Sequence, residues 1–436
     1  LGHGFTSSAW YAQSDTQFWA GNVPLHSALL YLWMKAFGFS ITAVRSINFA
    51  YFAASILLLW RASIRLNLLK SSWLRLALFG LLTGGYSMVF AYRSGRPDCL
   101  AMLLICGSVY VHSRRCWRQR IFGGAALGFL MPWAGLQLLP MLAVGGALLW
   151  LYLGRAVFLE LLATAAGVGI GGISLAWFYV AHGVWPQFLL SVRQHTTIGF
   201  FGWLGKGELR HSNLVPKDFS FMVLFLLAVL LAVRWLRKGN LKSPLSFGLV
   251  YSVTLTIALI FSGKFPTYYG WMTYVPLSLC LCMILDQLPP AQIWRRVGGI
   301  FLTGAVVVSL GLHGITALSD WTDRDYANVE KLLRENVTAD DWVYGDFSTY
   351  YAAKKTAARV FLPLYLSAFA EGEKERVTVL VVSPRNLEEA THAIGGEWVT
   401  TGKGFTPSRN GFWASRRNMG FLSTLNYDLK VYRRVK

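Results

Sequence analysis

The chain has 436 residues, of which 54% are hydrophobic, 15% aromatic and only 14% charged. An average soluble domain carries roughly 25% charged residues, so this composition excludes an ordinary water-soluble fold, which would have too little polar surface to cover its apolar side chains. The net charge of +20 does not argue for nucleic acid as a partner, because the basic residues punctuate apolar runs instead of forming one basic face. Five cysteines, Cys99, Cys106, Cys116, Cys280 and Cys282, lie in or beside apolar runs without metal-ligand spacing, which argues against both a disulfide framework and a zinc site. The expected fold class is an α-helical polytopic membrane protein with a small C-terminal α/β soluble domain.

The chain opens at Leu1 without methionine or a signal-like apolar run, and a further segment is expected upstream. Residues 1 to 34 contain no lysine or arginine, and the run Leu25 to Phe39 is short for a full crossing. Residues 1–42 are therefore expected to form an outer-face loop with an interfacial helix. Crossing the hydrocarbon takes about 20 apolar residues. Runs near 43–62, 74–92, 97–113, 121–134, 136–154, 157–181, 219–235, 244–262, 269–288 and 297–318 give about ten spans in a unit covering 43–318. Residues 121–154 carry no charge and are too long for one crossing at about 1.5 Å per residue, and Pro132 is placed as the turn that divides them.

Basic clusters fall on alternate ends of these runs: Arg61 to Arg75, Arg114 to Arg120, Arg155, Arg234 to Lys242, and Arg295 with Arg296. The positive-inside rule makes those ends cytoplasmic, so the 183–218 loop, the 263–269 loop and everything after Ser319 face outward. In the tail, Trp342 to Gly345 and Val377 to Val382 read as buried strands and Asn386 to Ile394 as an amphipathic helix. Residues 319–436 are expected to be an outer-face domain, periplasmic if the membrane is a bacterial inner membrane.

Ion-coupled transporters place ionisable groups near the midplane, whereas these spans are almost free of them, Glu160 being the main exception and close to a cytoplasmic end. A lipid-carrier flippase or transporter without group transfer is the alternative reading. The polar residues that stand out are at the outer mouth: Arg93, Arg96 and Asp98 in one hairpin, Lys264, Tyr268 and Tyr269 in another, and His195, Lys206, Arg210 and His211 in the long loop. Arginine and lysine clamp phosphate, and a nearby carboxylate can orient or deprotonate a hydroxyl. Asp15, the only carboxylate in residues 1 to 34, is the second candidate base. Each residue also has a plainer role open to it. Arg96 and Asp98 could cap the helix that Pro97 begins, and Asp15 could be a solvated loop acid. Lys264 could snorkel beside a tyrosine belt, and His195 and His211 could be loop surface.

The run Asn22-Val23-Pro24-Leu25, then Leu29 to Trp33, Phe37-Gly38-Phe39 and Arg45, resembles the outer-loop segment of the GT-C membrane glycosyltransferases. The similarity is to the branch containing protein O-mannosyltransferases and the lipid A aminoarabinose transferase. Arg93-Ser94-Gly95-Arg96-Pro97-Asp98 resembles that family's second outer-face motif, and Lys264-Phe265-Pro266-Thr267-Tyr268-Tyr269 followed by Pro276 its late motif. The three segments stand in family order across roughly residues 1 to 318. The resemblance implies a GT-C bundle and a donor sugar carried on polyprenyl phosphate. It further implies inverting transfer to a glycan, lipid or protein acceptor at the outer face of the membrane. It implies Asp98 and Asp15 as catalytic candidates and Arg93, Arg96, Lys264, Tyr268, Tyr269 and His195 as substrate contacts, with no certain cofactor and a divalent metal left open. Asn22 stands where the family often has a basic residue, and the principal acid of the first outer loop is expected upstream of Leu1.

Overall fold

The computed structural model describes residues 5–8, 13–196, 219–236, 248–255, 269–319, 321–406 and 427–435. Helix α1 (Leu25–Phe37) has only His26 buried and stops at Gly38, whose φ of +84° a side chain would disfavour. At about 1.5 Å per residue its 13 residues are too short to cross a bilayer. The long helix α2 (Ile41–Arg65) follows, its start capped by the Ser40 hydroxyl, which accepts from the amide of Ala43.

The run predicted as one span over 74–92 is two helices, α3 (Ser72–Gly84) and α4 (Tyr86–Arg93), bent by 59° at Gly85. The cause lies far away in sequence. A Cβ on Gly85 would sit 2.6 Å from the Tyr274 ring, whose hydroxyl donates to the Leu81 carbonyl at 3.0 Å and fills the break. Next come α5 (Asp98–His112), α6 (Trp117–Ala134) and α7 (Leu138–Leu153). Pro132 does not divide the uncharged run as expected. It lies inside α6, and the break comes at Gly135, in extended backbone at φ 174°. The carbonyl that Pro132 leaves without its amide partner belongs to Gly128, one of the points where α6 and α8 (Phe158–Ala181) meet closely.

A Cβ on Gly128 would lie 2.4 Å from the Thr164 carbonyl oxygen, and one on Gly167 would lie 2.1 Å from that of Ala125. Lipid is as apolar as leucine, so helices in a bilayer associate by such close packing and not by escape from water. Helix α9 (Trp185–Thr196) follows α8, and α10 (Phe219–Leu236), helical residues 248–255, α11 (Trp271–Gln287) and α12 (Ile293–Ser319) complete the described bundle. Three described helical stretches are long and apolar enough to cross a membrane, Ile41–Arg65, Gly154–Ala181 and Ile293–Ile315, and the bent α3–α4 pair makes a fourth. The helices Asp98–His112 and Trp271–Gln287 are apolar but shorter.

After α13 (Tyr326–Asn336) the chain builds a five-stranded sheet in the order β2-β1-β3-β5-β4. Strands β1 (Trp342–Gly345), β2 (Arg359–Phe361) and β3 (Val379–Val382) are parallel; β4 (Trp398–Phe405) and β5 (Leu429–Arg434) run antiparallel to their neighbours. β1 and β3 are buried along their whole length, as continuous apolar runs in a parallel sheet should be. Helix α14 (Tyr350–Thr356) links β1 to β2, and α15 (Leu387–Ile394) follows β3 with Asn386 at its N-cap.

The described residues before α1, 5–8 and 13–24, bond to both the bundle and this domain. On the bundle side, the Asn22 carbonyl accepts from the Tyr179 hydroxyl at 2.7 Å and that of Gly21 from Ser191 Oγ at 3.1 Å. On the domain side, the Leu362 amide donates to the Ser8 carbonyl at 3.2 Å, and the Arg359 guanidinium grips Asp15.

Candidate active site

Asp98 is the first residue of α5, preceded by Pro97, so its carboxylate lies at the positive end of the helix, where an anion is stabilised. Its side chain has no solvent exposure. Arg96 Nε donates to one carboxylate oxygen at 2.9 Å, and Trp271 Nε1, from the first turn of α11, donates to the other at 3.3 Å. The Arg96 side chain is 37% exposed, and its guanidinium carbon stands 5.9 Å from the centre of the Tyr269 ring. A buried carboxylate thus fixes an arginine whose head reaches the surface, and the helix that follows the late motif meets the helix that follows the second motif. Trp271 and Tyr274 share one face of α11, so the same turn that reaches Asp98 also fills the α3–α4 break.

The turn that carries Arg96 is held from beneath. Asn48 of α2 donates through Nδ2 to the carbonyls of Ser94 and Arg96, the latter at 2.9 Å. His26 Nε2 lies 3.0 Å from the Gly95 carbonyl, which requires that this nitrogen carry the proton. Gly95 is needed here because a Cβ would come within 2.9 Å of Val44 Cγ1. Burial pushes His26 down to about 4, outweighing the opposing effect of the Gly95 carbonyl, so the ring is neutral at physiological pH. Arg93, at the end of α4, shares its surroundings with Arg45, Tyr86 and Tyr427, a second cation and two hydroxyls.

Asp15 has different partners from Asp98. Arg359 forks onto its carboxylate and also reaches Glu373 at 2.9 Å, while the Tyr365 hydroxyl accepts from the Asp15 amide at 3.1 Å. The structure therefore joins Arg96, Asp98 and Tyr269, and gives Asp15 to the C-terminal domain. His195 lies in α9, beyond the residues whose side chains are described; Lys206, Arg210, His211, Lys264 and Tyr268 lie outside the described residues altogether. Among the described residues no group of three or more His, Cys, Asp or Glu side chains could hold a metal ion.

Sequence reasoning passed over Trp271, His26, Asn48 and Tyr51. Only the three-residue spacing of Asn48 and Tyr51 on one apolar helix could have marked a polar face.

No family model and no curated protein matches the sequence. Among solved structures the chain is similar to ArnT from Cupriavidus metallidurans bound to undecaprenyl phosphate. The TM-score is 0.53 and the identity 12%, covering 98% of this chain and 90% of that one. It is also similar to ArnT from the same organism in the apo state, with a TM-score of 0.54 and 12% identity over 96% of this chain and 89% of that one. At that identity the likeness speaks for the fold. The chain shares the fold of these ArnT structures over nearly its whole length, the fold that the resemblance of the three segments implied.

Proposed function

We propose that the protein is a glycosyltransferase that moves a sugar from a polyprenyl-phosphate carrier to an acceptor at the outer face of the membrane, with inversion. The observation that carries this reading is the likeness, over 98% of the chain, to a structure that holds undecaprenyl phosphate. The buried Asp98 behind a surface-reaching Arg96 supports it, since such an arrangement suits an anionic headgroup. In the reaction, the acceptor oxygen bonds to the anomeric carbon from the face opposite the lipid phosphate. The carbon–oxygen bond to that phosphate breaks, its electron pair leaves with the phosphate, and the acceptor proton passes to a base. Phosphate is a competent leaving group, so cations that meet its developing charge supply much of the stabilisation required.

In this scheme Arg96 meets the departing phosphate and Asp98 fixes Arg96 in place. Lys264, Tyr268, Tyr269 and Arg93 add further contacts to the same headgroup. Lys264 is the sole charged residue between Lys242 and Asp286, and its place in an outer loop runs against the positive-inside trend, which an anionic ligand explains. The C-terminal domain lies on the same outer side, because the last basic pair, Arg295 and Arg296, precedes a single crossing. A flippase reading would call for coupling groups deep in the spans. Glu160 is instead bound by His112 and Arg120.

The test is to incubate purified protein in lipid nanodiscs with polyprenyl-phosphate-linked hexoses and pentoses and candidate acceptors. Free polyprenyl phosphate and labelled product should appear in equal amounts. Lipid redistribution across the membrane with no cleavage would favour the carrier reading instead.

A further inference from the structure

Beneath the Arg93–Asp98 turn three polar atoms are buried with no hydrogen-bond partner among the described residues: His26 Nδ1, Asn48 Oδ1 and Tyr51 Oη. They belong together. Asn48 and Tyr51 are three residues apart on α2 and so share a face, the His26 and Tyr51 rings are 6.2 Å apart, and His26 and Asn48 grip adjacent carbonyls of one turn. His26 is 6% exposed and Asn48 0%. Buried polar atoms are nearly always paired, so three orphans in one place ask for an occupant.

The chemistry of the orphans says what kind. His26 uses Nε2–H on the Gly95 carbonyl, so its neutral ring presents Nδ1 as an acceptor. Asn48 spends its amide group on the Ser94 and Arg96 carbonyls, which turns Oδ1 outward from them as a second acceptor. Tyr51 adds a hydroxyl that can serve either way. Two acceptors and a hydroxyl would repel phosphate and gain nothing from a lipid chain; they suit a group that brings O–H donors. We propose that His26, Asn48 and Tyr51 form a subsite that receives a hydroxyl of the glycosyl group, beside the Arg96 that meets its phosphate. This rests on the transferase reading and adds to it a means of telling sugar-loaded carrier from empty carrier. A site built to bond a substrate hydroxyl discriminates strongly, because its buried groups are left unpaired when that hydroxyl is missing.

Two substitutions remove an orphan atom and leave the structural bonds alone. Tyr51→Phe deletes a hydroxyl that bonds to no described residue, and in His26→Gln the new amide nitrogen can still donate to the Gly95 carbonyl while Nδ1 is lost. Binding of undecaprenyl phosphate, bare and linked to a hexose or a pentose, would be measured with full-length protein in nanodiscs, alongside melting temperature. Each variant should bind the sugar-linked lipid that wild type prefers roughly tenfold more weakly, a loss typical of one hydrogen bond, and bind the bare lipid within about twofold of wild type. Its melting temperature should hold or rise. Unchanged binding of the sugar-linked lipid overturns the subsite. Equal weakening toward both lipids with a lower melting temperature also overturns it, and marks a structural water as the O–H source. A wild type that binds bare and sugar-linked lipid equally overturns it too, whereas one that binds neither refutes the transferase reading itself.

Discussion

The two ends of α5 are built on opposite rules. At its C-terminal end, the inner one in the proposed topology, His112 Nδ1 sits 2.8 Å from Glu160 of α8, and Arg120 Nε of α6 stands 3.0 Å from the same carboxylate as an ion-pair contact without hydrogen-bond geometry. At its outer end Asp98 is as firmly held, yet the turn leading into it rests on three buried polar atoms with no partner among the described residues. Each such orphan costs roughly 1–3 kcal/mol while it lacks a partner, more than one residue's share of a protein's net stability. The inner cluster staples helices together. The outer one gives up stability where a ligand can restore it.

Breaking the outer end should cost activity. Asp98→Asn keeps the shape and both neighbours but removes the charge that fixes Arg96, and we expect transfer to fall by roughly 10²-fold or more, as for one positioned catalytic group. Turnover within a few-fold of wild type in folded protein would remove Asp98 from the site. Trp271→Phe, which removes the Nε1–H on Asp98 together with part of a buried ring, should slow transfer by about tenfold. An equal loss of stability and rate there would point to packing instead.

Breaking the inner end should cost stability. Glu160→Gln leaves Arg120 and His112 facing a neutral amide, and the expected loss is about 1–3 kcal/mol, read as a lower melting temperature in detergent with transfer unchanged at permissive temperature. The smallest effect sharpens the contrast with the soluble domain. Burial alone would raise Asp341, but Arg433 at 2.8 Å, the Thr338 amide and the Thr378 hydroxyl outweigh it and hold the carboxyl below its usual range. Its contribution is present above the unfolded value near pH 4 and is lost as pH falls through that value toward the lower folded one. Asp341→Asn should therefore be less stable than wild type at pH 7 and show a flatter decline below about pH 4, measured by thermal melts across pH. Parallel declines would contradict the ion pair's role.

What was legible in the sequence was what depends on neighbours in the chain. α2 and α8 follow from long apolar runs, β1 from a short aromatic and apolar one and β3 from a short one rich in valine. The Arg96–Asp98 pair could be read because a single residue, Pro97, separates its members and opens a helix between them. The bend at Gly85 could not, since its cause is the ring of Tyr274, nor could the partnership of Trp271 with Asp98. Strand β4 escaped notice because most of its residues are exposed and it lacks the apolar alternation that marks a strand. The subsite beneath the turn was the least visible of all. His26, Asn48 and Tyr51 are ordinary residues in an apolar setting, and their meaning lies in which of their atoms the fold leaves unpaired.

The central claim is that the outer end of α5 is where the chemistry happens and the inner end only holds it up. Transfer rate and melting temperature, measured side by side on purified Asp98→Asn and Glu160→Gln, test that directly. The account predicts a crossed result: Asp98→Asn loses about 10²-fold in rate with its melting temperature nearly intact, and Glu160→Gln loses stability with its rate nearly intact. An Asp98→Asn protein that transfers sugar normally, or a Glu160→Gln protein that folds normally and does not, would contradict it.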